Sequence, residues 1–132
     1  MSNKSNVKSF LIDEIGEILD LLNDVKGNID DYAMDNDSEK KHRLTVNSKI
    51  STDISMRTQS LCEQLETAFK AKSTNTREAI KTAYNNYWQE VTSGNFMSDQ
   101  FVFDTDFKNL HNKSYARFCA TLKKTIYEIN QY

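Results

Sequence analysis

Residues 49–69, KISTDISMRTQSLCEQLETAF, decide how this chain folds. Ile50, Ile54, Leu61, Leu65 and Phe69 recur at helical spacing, with almost only polar residues between them and no Pro or Gly. A half-buried strand would alternate every second residue, whereas this stripe returns every three to four or a multiple of that. The stretch therefore reads as one face of an amphipathic helix over about 39–72, with Val46 continuing the stripe and Leu44 and Ala68 beside it. Asp53 and Arg57, four residues apart, are placed to pair on its surface.

The same periodicity continues on both sides. A first helix is expected over about 5–33, with Val7, Leu11, Ile15, Ile18, Leu22, Val25, Ile29 and Tyr32 on a heptad-like, coiled-coil seam. Phe10, Ile12, Leu19 and Leu21 widen that stripe to the breadth of a bundle helix, while Gly16 and Gly27 suggest close packing or a slight bend. A third helix is expected over about 76–92, with Ile80, Tyr84, Tyr87 and Val91 on one seam and Trp88 beside it. A fourth is expected over about 106–131, with Phe107, Leu110, Tyr115, Phe118, Leu122, Ile126 and Ile129 facing the core. The breaks are MDNDSEKK (34–41), KSTNT (72–76) and SGNFMSDQFVFDT (93–105), with Ser38, Thr76 and Asp104 or Thr105 as expected N-caps.

Composition agrees with this pattern. In 132 residues there are no prolines and three glycines, too few turn formers for a sandwich or barrel. The expected fold is all-α, one domain over 1–132, an antiparallel up-down bundle of three to four long helices. With 38% hydrophobic and 27% charged residues the chain is neither disordered nor a membrane protein, and no apolar run reaches the roughly 18 residues of a membrane span. The N-terminus lacks the apolar segment of a signal peptide. Cys62 and Cys119 read as core thiols, so the expected location is cytoplasmic.

Charge is uneven. Residues 1–66 hold 8 Lys/Arg against 13 Asp/Glu, and residues 67–132 hold 9 against 6. The acidic half argues against a general nucleic-acid binder. Asp13, Glu14, Glu17, Asp20 and Asp24 line the first helix, and Lys108, His111, Lys113, Arg117, Lys123 and Lys124 give the fourth a basic character. Each set is an ordinary solvated face or a docking surface for a partner of opposite sign.

The residues of a catalytic or metal centre are not assembled in the sequence. Glu39 and His42 form one Glu-x-x-His, where a di-iron bundle needs two. Two His and two Cys, widely scattered, lack zinc-site spacing, and there is no phosphate loop or nucleophile elbow. The expectation is a non-enzyme with no catalytic residues, no metal and no cofactor. The aromatic cluster YNNYWQE (84–90) draws attention instead. Tyr84, Tyr87 and Trp88, with Phe101 and Phe103 of the last break, are candidate partner-binding residues, and core packing is the competing reading of each.

FLIDEIGEILDLLNDVKGNID (10–30) followed by ISTDISMRTQSLCEQLETA (50–68) resembles helices A and B of the syntaxin N-terminal Habc domain over about residues 8–70. On that resemblance TREAIKTAYNNYWQEV (76–91) looks like part of helix C. The break at 93–105 departs from it, as does the absence of SNARE heptads or a membrane anchor before Tyr132. The resemblance implies a regulatory module in membrane trafficking that binds a SNARE helix or a trafficking regulator. The alternative expectation is a small stand-alone microbial or phage inhibitor or immunity-type protein that blocks a target enzyme, which suits an Asn- and Lys-rich chain running from Met1 to Tyr132. Whether the first seam is used within one chain or in self-association stays open.

Overall fold

A computed structural model describes residues 4–32, 36–93 and 105–132. Four helices account for nearly all of them: α1 (Lys4–Tyr32), α2 (Asp37–Phe69), α3 (Thr74–Ser93) and α4 (Thr105–Gln131). A 3₁₀ turn, Lys70–Ser73, joins α2 to α3. The expected all-α bundle is present, with boundaries within about three residues of those read from periodicity. The side chains of Tyr32, Leu44, Val91 and Thr105, and all of residues 94–104, lie outside the described residues.

Each helix packs on its two neighbours in the ring α1–α2–α3–α4. The cross-helix pairs run in opposite senses along the α1–α2 and α3–α4 seams. Between α1 and α2, Asn28 bonds Asn47 at 2.9 Å while Glu17 meets Arg57. Between α3 and α4, Thr76 meets Glu128, Tyr84 meets Phe118 and Tyr87 meets His111. Arg77 lies 3.8 Å from Glu66 just across the α2–α3 turn. The helices therefore alternate up and down.

The core is one cluster, built from Leu11, Ile15, Ile18, Leu22, Val25 and Ile29 of α1 and matching positions of the other helices. In α2 the buried seam differs from the apolar stripe. Asn47, Ser51, Ile54, Thr58, Leu61, Leu65 and Phe69 are buried, while Val46 and Ile50 are half-buried and Ala68 is exposed. Counting from Ile54 toward the N-terminus by three and then four residues reaches Ser51 and Asn47, so the true heptad runs through small polar residues. In α4, Leu110 is 41% exposed and His111 takes the core position beside Phe107. Gly16 and Gly27 face open space, so neither serves a close helix contact.

The caps also differ from expectation. Asn36, not Ser38, caps α2: its carbonyl oxygen accepts from the Glu39 N–H at 2.8 Å and its amide donates to the Glu39 carboxylate at 2.9 Å. Glu39 sits three residues past the cap, the position that closes a capping box. Thr76 is inside α3 and buried, meeting Glu128 and Tyr132. The turn is held instead by Ser73, fully buried, whose hydroxyl reaches Leu65 O at 3.1 Å and Lys70 O at 2.9 Å. Lys70 adopts φ 51°, a left-handed conformation that side chains resist.

Candidate functional site

The three aromatics of α3 separate on folding. Tyr87 points into the bundle and is 1% exposed. Its hydroxyl lies 3.3 Å from His111 Nε2, and its ring packs against Phe118 with centroids 5.8 Å apart. Tyr87 is thus a core residue and not an exposed anchor, because its position continues the seam from Ile80. Phe101 and Phe103 lie outside the described residues.

Tyr84 and Trp88 are both half-buried and stack on each other, centroids 6.4 Å apart and planes 24° from parallel. The i, i+4 spacing puts them on one face. Tyr84 is fixed from below by an edge contact to Phe118 at 5.9 Å. It also lines a groove of about 330 Å³ between α2 and α3, with Ser55, Thr58, Gln59 and Cys62 on one side and Arg77 and Lys81 beside it on the other. Trp88 lies one turn further along the same helix face. This seam is the least closely packed of the four.

The groove has a polar floor. Thr58 is 3% exposed, and its hydroxyl has no hydrogen-bond partner among the described residues. A buried hydroxyl without a partner carries an uncompensated loss of hydration. Burial also pushes the Cys62 thiol up, despite Lys81 and Arg77 nearby, so the thiol is protonated near neutrality. Both cysteines are free and buried. Arg77 is held in place by Ser73 Oγ at 2.9 Å and Lys70 O at 3.3 Å, which makes one wall of the groove rigid.

His111 is the second feature that apolar counting passes over. Expected on a basic face, it is instead buried among Tyr87, Phe107 and Tyr115. Burial pushes its imidazole down to about 4, so it is neutral near pH 7. It therefore adds no charge to the outer face of α4. Of the acidic set, Glu14 and Glu17 are engaged by Arg57, which also pairs with Asp53 at 3.2 Å. Asp13, Asp20 and Asp24 stay exposed.

Among the described residues, no three His, Cys, Asp or Glu side chains converge to hold an ion. No described helix is long and apolar enough to cross a membrane. The chain matches no protein-family model, no curated protein and no solved structure.

Proposed function

We propose that this bundle is a non-enzymatic protein-interaction module that receives its partner on the α2–α3 face, with Tyr84 and Trp88 as the anchor. The observation that carries the reading is the half-buried Tyr84–Trp88 stack, with Tyr84 fixed from below and lining the groove beside Thr58. Rigid aromatics beside a partly formed pocket supply contact area at small entropic cost.

A helix laid along the α2–α3 seam suits a groove of this kind. The syntaxin-like form of the proposal makes that helix a SNARE segment or part of a trafficking regulator, and places the protein in the cytoplasm. Affinity capture of the intact chain from its native lysate, beside Trp88→Ala, tests the reading. Recovery of SNARE or Sec1-type proteins, lost with Trp88→Ala, supports the trafficking form. Recovery of a single nuclease, polymerase or toxin supports the inhibitor form. A partner retained in full by Trp88→Ala contradicts the proposed face.

A further inference from the structure

The outer faces of α1 and α4 carry charge rows of opposite sign in matching register. Asp13, Asp20 and Asp24 are exposed on α1, separated by seven and four residues. Lys124, Arg117 and Lys113 are exposed on α4, separated by seven and four residues when read from C- to N-terminus. On a helix these spacings are about 10 Å and about 6 Å, and each set stays within a narrow strip. None of the six is ion-paired among the described residues, whereas Glu14 and Glu17 of the same helix are taken by Arg57.

We infer that the α1 face of one copy docks antiparallel on the α4 face of a second copy, pairing Asp13 with Lys124, Asp20 with Arg117 and Asp24 with Lys113. A single register satisfies all three pairs. The charge complementarity singles out another copy of this chain as the occupant, because both rows belong to it. Asp31 over Asp106 is a like-charge juxtaposition in this register, but it falls at the end of the row, and Arg43 already lies 3.9 Å from Asp31. Each copy offers both faces, so association either closes, with two copies satisfying both contacts, or continues as an open chain. Exposed ion pairs are individually weak and screened by salt, so association is concentration-dependent and confined to low ionic strength.

Sedimentation velocity of the intact chain tests this. At about 20 mM salt the average mass should rise with concentration to at least twice that of the monomer, and return to monomer at about 500 mM. Arg117→Glu and Asp20→Lys should each be monomeric at low salt, with melting temperatures like the parent because both positions are exposed. Mixing the two variants should restore association, since the two reversed charges then face each other across the contact with opposite signs. A parent that stays monomeric at low salt, or variants that associate as the parent does, would overturn the inference. These results are independent of the α2–α3 groove, whose test is partner capture.

Discussion

The hydroxyl of Tyr87 and the Nε2 of His111, 24 residues apart in sequence, meet at 3.3 Å inside the bundle. Both residues are 1% exposed, and together they tie α3 to α4. His111 makes the fold sensitive to mild acid. His111 is held down to about 4 by burial, below its ordinary 6.5. The unfolded chain therefore binds a proton over a pH range in which the folded chain does not. Stability is unaffected by this group above about 6.5, declines as pH falls from about 6.5 to about 4, and levels off below, a loss of roughly 3 kcal/mol. Urea unfolding at pH 7.5 and pH 5 measures the slope. His111→Gln, which keeps a polar partner for Tyr87 but does not titrate, should flatten it; an unchanged slope would place the dependence elsewhere.

Thr58 offers a substitution that should strengthen the protein. Its hydroxyl is buried without a partner among the described residues, so Thr58→Val removes an unsatisfied group while keeping the shape. The expected gain is about 1 kcal/mol, read as a higher urea midpoint at constant m-value. A loss of stability would mean that the hydroxyl has a partner in solution.

Lys70 should also accept an improvement. Its φ of 51° strains a side-chain-bearing residue at the end of α2, and the side chain is exposed. Lys70→Gly should relieve about 1 kcal/mol of backbone strain, seen as a rise in Tm. A fall in Tm would indicate that the turn depends on the lysine side chain.

Ile54 and Trp88 should respond differently. Ile54 is 1% exposed, so Ile54→Asp buries an unpaired charge and should cost more than about 4 kcal/mol, enough to abolish cooperative melting. Leu65→Asp should do the same. Trp88 is half-buried, so Trp88→Ala should cost only about 1–2 kcal/mol and leave a folded protein. Circular dichroism melts of the variants decide both.

The helices were legible in the sequence because apolar periodicity over 20 to 33 residues is a strong signal. The α1 core was legible because Leu11, Ile15, Ile18, Leu22, Val25 and Ile29 are all aliphatic. The upper part of the α2 seam was not, because Asn47, Ser51 and Thr58 hold core positions with polar side chains. Val46 and Ile50, one residue before Asn47 and Ser51, mimic the stripe. The gap of seven between Ile54 and Leu61 was the available clue, since a heptad demands a buried residue between them. His111, Ser114 and Thr125 break the α4 stripe in the same way. Adjacency in sequence could not say which of Tyr84, Tyr87 and Trp88 would be buried. That depended on the seam through Ile80, which takes Tyr87 inward and leaves the other two half-buried.

The most direct test of the interaction face is the affinity of a captured partner for the parent, Trp88→Ala and Tyr127→Ala. Tyr127 is a useful control because it is an aromatic 66% exposed on α4, outside the α2–α3 groove. If the Tyr84–Trp88 stack is the anchor, Kd rises at least about tenfold for Trp88→Ala, about 1.4 kcal/mol, and does not change for Tyr127→Ala. An unchanged Kd for a folded Trp88→Ala, or a loss caused by Tyr127→Ala instead, would contradict it.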